Sequence, residues 1–400
     1  MKVIVAVDSF KGSMTSLEAG TAIKNGILRV KKDVDIEVIP VADGGEGTVE
    51  ALTYGKHNIQ RKNCMVTDPL GGSIEAKYIM YETTQGKTAI MEIASAAGLV
   101  QIPENKRNPL YTTSYGVGEM MKAAMKEGCR RFILGLGGSG TNDGGIGMLQ
   151  ALGYHFVDEK GNEVPYGAIG LEKTADIYFE DVIPEVRNCT FQVICDVTNP
   201  LTGDKGCSAV FAPQKGADAP TIERMERAME RYANLVEHMA SCDAGPIRAS
   251  GNRRTAGVGA AGGMGYAYQM FLNATLRSGI ETILEELQFQ ERIKGADCVI
   301  TGEGRMDAQT LMGKTPAGIA KMAKQLQIPV IAFAGCFGEG IEACKKSRLF
   351  DACFSVSEEL YAKKSSDSNY MQKSVAMHNL EECVANVFPH VRVNEINNIK

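Results

Sequence analysis

Val3-Ile-Val-Ala-Val7 is an unbroken apolar run, rich in β-branched side chains, that stops at Asp8. A strand with one wet face alternates polar and apolar residues, so this run predicts a strand buried on both faces of a parallel sheet. Downstream, Ser16 to Val30 carries Leu17, Ile23, Ile27 and Leu28 at helical spacing, and Ile36-Glu-Val-Ile39 is extended again before Pro40 and Asp43. Strand, helix and strand follow in order. The same pattern returns near the other end: Cys298 to Thr301, a helix from Pro316 to Gln325, Val330 to Phe333, a helix near Ile341, and Phe350 to Val356.

Two early and three late strands make the five parallel strands of a flavodoxin-like, doubly wound α/β sheet. More than 200 residues separate the second strand from the third. This spacing predicts a discontinuous first domain, 1–60 with 285–390, interrupted by an inserted α/β domain over 61–284, and a C-terminal tail over 391–400. Within the insertion, Ile74 to Met80 and Ala89 to Ile93 read as a hairpin, and Phe132 to Leu134 and Phe191 to Ile194 as buried strands. Thr221 to Ala240 sets Ile222, Met225, Met229, Tyr232, Val236 and Met239 on one helical face, a core stripe.

Composition removes several function classes. Hydrophobic residues at 44% and charged residues at 23% are those of a soluble folded chain, and net charge −5 is the wrong sign for neutralising a nucleic-acid backbone. Eleven scattered cysteines without a CxxC pair argue for free thiols in a reducing compartment. The apolar N-terminal run is too short for an export signal or a membrane span. Neither a nucleic-acid nor a membrane partner is expected; a homo-oligomer stays open.

The predicted strands run into loops that combine glycine with carboxylates and bases. These are Asp8-Ser-Phe-Lys-Gly-Ser13, Val41-Ala-Asp-Gly-Gly-Glu-Gly-Thr48, Gly135-Leu-Gly-Gly-Ser-Gly-Thr-Asn-Asp-Gly-Gly145, Cys195-Asp-Val-Thr-Asn199, Gly259-Ala-Ala-Gly-Gly-Met-Gly265, Thr301-Gly-Glu-Gly-Arg-Met-Asp307 and Gly313-Lys-Thr-Pro316. Ligands of open α/β sheets bind at that strand edge. Glycine amides at a helix start suit phosphate, so Gly137, Gly138, Ser139, Gly140, Thr141 and Asn142 are candidate phosphate contacts. Phosphoryl transfer further needs cations for the phosphates, carboxylates for Mg²⁺ and an oxygen base for the attacking hydroxyl. Lys11, Arg305 and Lys314 are the candidate cations. Asp43, Glu46 and Glu303 are candidates for Mg²⁺ or for substrate hydroxyls, and Asp143 for Mg²⁺. Asp196, three residues before Asn199, is the expected base, with Asp8 as the substitute. Arg107, Arg253, Arg254 and Arg305 compete for a substrate carboxylate.

Other signatures fail. Gly86-Lys-Thr88 and Gly313-Lys-Thr315 have Tyr81 and Ala308 where a P-loop needs glycine, and the protein-kinase, HExxH and GxSxG motifs are missing. Gly135 to Gly140 does satisfy GxGxxG, with Asp158 about twenty residues on, which keeps a nicotinamide-dependent oxidoreductase of a small hydroxy acid as the alternative. Against it, Asp158-Glu-Lys-Gly-Asn162 reads as a hairpin turn, and Asp143 would set a carboxylate where pyrophosphate belongs. A nucleotide-binding regulatory module is the third reading.

Taken together and in this order, the loops from Asp8 to Arg305 resemble those of the type I glycerate kinases, over residues 1 to about 385. The resemblance implies ATP-dependent phosphorylation of D-glycerate with Mg²⁺ in the bacterial cytoplasm, 2-phosphoglycerate being the favoured product and 3-phosphoglycerate the other. It also implies a flavodoxin-like domain interrupted by a second α/β domain.

Overall fold

The computed structural model describes residues 1–45, 47–83, 86–242, 245, 247, 251–357 and 373–390. Among them thirteen strands follow in chain order: β1 (Lys2–Val5), β2 (Asp35–Val38), β3 (Gln60–Thr67), β4 (Ser73–Thr83), β5 (Gly86–Glu92), β6 (Cys129–Gly135), β7 (His155–Val157), β8 (Asp176–Tyr178), β9 (Thr190–Ile194), β10 (Thr275–Arg277), β11 (Cys298–Met306), β12 (Val330–Phe337) and β13 (Ala352–Ser355). The chain divides into two compact units, Met1–Gly55 with Ser278–Lys400, and Lys56–Arg277.

The first unit carries a five-stranded sheet in the order β13-β12-β11-β1-β2, parallel throughout. Counted within this unit it is the 2-1-3-4-5 order of doubly wound flavodoxin-like sheets. Val3, Val5, Val7, Cys298, Ile300, Ile331 and Phe333 are buried together with Ile23 and Ile27 of the helix Ser16–Val30. Burial on both faces is what made these strands read as continuous apolar runs. Thr15 and Glu18 form a capping box that starts the helix. The Ser16 hydroxyl donates to the carbonyl of Val7 at 2.6 Å and accepts from the amide of Val41 at 2.9 Å, tying together the ends of β1 and β2. Asp8 and Asp43 follow directly from those ends.

The second unit holds a six-stranded sheet, β10-β9-β6-β5-β4-β3, whose first four strands are parallel and whose last two pair antiparallel. The hairpin expected around residues 83–87 is the β4–β5 pair, although residues 84 and 85 lie outside the described residues. The long helix is Ala219–Ser241, with Met225, Met229, Tyr232 and Val236 buried as the stripe required. All eleven cysteines are free thiols. No helix among the described residues is long and apolar enough to cross a membrane.

Candidate active site

In the first unit the carboxyl ends of all five strands open onto one cleft of about 680 Å³. Asp8 and Lys11 come from the loop after β1, Asp43 from that after β2, and Glu303 and Arg305 from the end of β11; Asp307 and Lys314 follow. This is the crevice where open parallel sheets bind ligands. Gly304 lets the chain pass close by, since a Cβ there would stand 3.2 Å from the Cα of Phe10.

Asp8 is 4% exposed. Its Oδ2 accepts from the Thr315 hydroxyl at 2.8 Å and its Oδ1 from the Ser9 amide at 2.7 Å. Burial, reinforced by the negative charge of Asp43, pushes its carboxyl up to about 6, while Thr315, Ser9 and Lys11 pull the other way. Glu303 is 9% exposed and its Oε1 accepts from the Thr310 hydroxyl at 2.7 Å. Burial pushes it up to about 7 against the pull of Thr310 and of Lys314, whose Nζ lies 3.9 Å from Oε2. Two carboxyls in one cleft therefore exchange protons near neutrality, the condition for acid–base work at physiological pH. Lys314 also stands 4.0 Å from Asp307, and Arg305 stands 3.9 Å from the other oxygen of that carboxylate.

Asp43 is held by backbone packing: a Cβ on Gly279 would stand 2.3 Å from the Asp43 carbonyl oxygen. Its Oδ1 accepts from the Gly45 amide at 3.1 Å. Glu46 lies outside the described residues.

The remaining candidates belong to the second unit, and burial separates them. Gly137 and Gly138 are exposed, whereas Ser139, Gly140, Thr141, Asn142 and Asp143 are buried. The amides expected to face phosphate are partly spent within the unit: Gly140 donates to the Ala97 carbonyl, Gly144 to Gly262, and Gly145 to the Asp143 carboxylate. Asp143 is fully buried, its Oδ2 accepting from both the amide and the hydroxyl of Ser114 at 2.8 Å. These bonds fix the loop and leave the carboxylate, expected to hold Mg²⁺, with no exposed surface. Asn142 Nδ2 donates to the Ser208 hydroxyl at 3.0 Å. Asp196 is exposed just beyond β9, and Asn199 donates to the Lys205 carbonyl at 2.8 Å. Arg253 is engaged by Glu237 at 2.8 Å and Asn234 at 2.6 Å, whereas Arg305 lines the cleft.

A glycerate kinase family profile matches residues 3–391. The chain belongs to the glycerate kinase family. Relatives include the glycerate kinase of Haemophilus influenzae, 44% identical over 90% of this chain and 92% of that one. The glycerate 2-kinase of Escherichia coli K12 is 41% identical over 89% and 90%. A solved structure from Salmonella typhimurium LT2, provisionally named glycerate kinase 2, superposes with TM-score 0.82 at 40% identity over 99% of both chains. Membership of the glycerate kinase family removes the dinucleotide reading of Gly135 to Gly140. So does Asp158, whose Oδ1 accepts from the amides of Lys160 and Asn162 at 2.9 Å and closes the turn that sequence suggested.

Sequence reasoning missed Lys215. It is 2% exposed, and its Nζ donates to the Ser139 hydroxyl at 3.0 Å and the Thr141 carbonyl at 2.7 Å. Burial pushes its ammonium down to about 8. Lys215-Gly216 in a short turn carries no motif; only the fold puts that cation beneath the glycine loop. Asp307 and Cys336 were also not singled out, and both line the cleft of the first unit.

Proposed function

We propose that this chain catalyses ATP-dependent phosphorylation of D-glycerate, giving 2-phosphoglycerate and ADP, at the carboxyl edge of the five-stranded sheet. The observation that carries the reading is the meeting of buried Asp8 and Glu303 with Lys11 and Lys314 in one cleft, in a chain matched over nearly its whole length by the glycerate kinase family. Attack at the 2-hydroxyl is favoured because one full-length relative is named glycerate 2-kinase. Eleven unpaired cysteines suit a cytoplasmic enzyme.

In this mechanism Asp8 takes the proton of the attacking hydroxyl. The oxygen bonds to the γ-phosphorus as the bond to the β-phosphate oxygen breaks and ADP departs. Lys11, Lys314 and Arg305 draw charge from the phosphoryl oxygens. Thr315 holds Asp8 so that its free lone pairs face the cleft, and an acidity near neutrality matches a general base to its task.

The donor set fits Mg²⁺ that arrives with the nucleotide, because such an ion asks one or two carboxylates of the protein and takes its other ligands from phosphate and water. Among the described residues no three His, Cys, Asp or Glu side chains gather into a metal site. Asp43 and Glu303 are the residues to hold the ion, and when bound it neutralises phosphate charge.

Incubation with MgATP and D-glycerate followed by ³¹P NMR tests the proposal. A new phosphomonoester split by a single proton marks the 2-phosphate; splitting by two protons marks the 3-phosphate. No new phosphoester would refute the activity.

A further inference from the structure

The cleft of the first unit is far larger than glycerate requires. A three-carbon acid has seven non-hydrogen atoms and, even at the roughly 30 Å³ that a whole water molecule takes up in the liquid, fills no more than about 200 Å³. The cleft measures about 680 Å³, in the range of roughly 300–1,000 Å³ that holds drug-sized ligands. Its lining is also sorted by charge. Among the described residues, every charged one that lines it comes from the ends of β2, β1 and β11 or the loop that follows β11. The ends of β12 and β13 contribute Gly335, Cys336, Val356 and Ser357, and the helix Lys373–Val387 adds Ala376, Asn379 and Leu380, none of them charged.

This uncharged end is a built wall. Phe10, Met14, Val356 and Leu380 are 3%, 6%, 7% and 0% exposed and belong to one packed cluster. Gly335 lets β12 run close to β11, since a Cβ there would stand 2.7 Å from the Gly304 carbonyl oxygen. The helix Lys373–Val387 is fixed against Ser16–Val30: a Cβ on Gly26 would stand 2.6 Å from the Glu381 carbonyl oxygen, and Arg29 pairs with Glu381 and Glu382. Across the sheet edge, β2 to β13 spans four strand spacings, about 19 Å. An extended nucleoside triphosphate needs that order of length, with anionic and neutral ends.

We infer that ATP lies lengthwise along this edge, its phosphates at Asp8, Lys11 and Lys314 and its base against Met14, Val356 and Leu380, beside Ala376. The inference rests on the kinase reading above and adds the direction of the nucleotide. It makes the C-terminal helix part of the nucleotide site.

Calorimetric titration of the full chain tests it with two probes, MgATP and magnesium tripolyphosphate, which shares the phosphates and lacks the base. Ala376→Phe fills the neutral end. The expected result is at least tenfold weaker ATP binding, tripolyphosphate binding within twofold of wild type, and a glycerate KM within twofold. Met14→Ala, which removes wall contacts without adding bulk, should weaken ATP severalfold and spare tripolyphosphate, and it serves if the phenylalanine variant does not fold. Unaltered ATP affinity in a folded variant of either kind overturns the inference and leaves the kinase reading intact. Selective loss of ATP binding in a protein that never phosphorylates glycerate would uphold the nucleotide site and overturn the proposed acceptor.

Discussion

The Thr315 hydroxyl donates to Oδ2 of Asp8 at 2.8 Å, joining residues 307 positions apart in sequence. The bond sits where β1 and β11 lie side by side, the point at which the strand order of the sheet reverses, and it holds a buried carboxylate facing the cleft.

That burial has a thermodynamic signature. Asp8 rises from 3.8 to about 6 on folding, so between those values the folded state binds the extra proton. Stability from this group is fully present below about pH 4 and is lost as pH climbs through about 6. Asp8→Asn abolishes the loss and should stabilise the protein at pH 8 by about 2–3 kcal/mol, with the advantage gone at pH 4. Urea unfolding of both proteins at the two pH values checks it; equal stabilities at pH 8 would count against a buried, charged Asp8.

In the proposed mechanism Lys314 serves phosphate, and its Nζ lies 3.9 Å from Glu303. Replacing it by methionine should raise the ATP KM roughly tenfold, the worth of one charge-assisted hydrogen bond of about 1.5 kcal/mol. Because the ammonium lowers the Glu303 carboxyl, its removal should also move any rate limb set by Glu303 to higher pH. A pH–rate profile of Lys314→Met reads both effects, and an unmoved profile with an unchanged KM would remove Lys314 from the site.

Lys215 gives the opposite sign. Its ammonium falls from 10.5 to about 8 on folding, so its contribution to stability is lost as pH falls through about 8 and is complete only above about 10.5. Relative to Lys215→Met, wild type should gain stability as pH rises from 8 to 10. The variant should also lose activity, because the Ser139 hydroxyl and Thr141 carbonyl lose their donor. Denaturation at pH 8, 9 and 10 measures the trend.

Gly302 sits opposite Phe333 in the β11–β12 ladder, and a Cβ there would stand 1.8 Å from the Phe333 carbonyl oxygen. Gly302→Ala must push the two strands apart and should cost about 1–3 kcal/mol, read as a fall in the urea midpoint. An unchanged midpoint would contradict the register.

The first unit was legible because its strands are buried on both faces and its helix is amphipathic, so apolar runs and helical spacing mark Val3, Ile300, Ile331 and the stretch Ser16–Val30. β3 was not. Gln60, Arg61, Lys62 and Asn63 open an edge strand with half of its residues exposed, and such an unbroken polar run resembles a loop. At the site, Asp8 and Asp143 look alike in sequence, each an aspartate near glycine beyond a strand. What separates them is that Asp8 lines a cleft and Asp143 is sealed within hydrogen bonds. Gly259 to Gly265 is another of the glycine-rich stretches, and in it Ala261, Gly262 and Gly263 adopt positive φ in a left-handed turn. A Cβ on Gly262 would stand 2.2 Å from the Thr141 carbonyl oxygen. That run makes room for the neighbouring glycine loop.

The central claim is that the proton of the attacking hydroxyl passes to Asp8 at the edge of the five-stranded sheet. Initial rates of phosphoglycerate formation by wild type, Asp8→Asn and Asp196→Asn, at saturating MgATP and D-glycerate from pH 5 to 9, test it most directly. The account predicts a wild-type rate rising through about pH 6, a roughly 10²- to 10⁴-fold loss in a folded Asp8→Asn, and a smaller loss in Asp196→Asn. An Asp8→Asn rate within twofold of wild type, or the larger loss falling on Asp196→Asn, would contradict it.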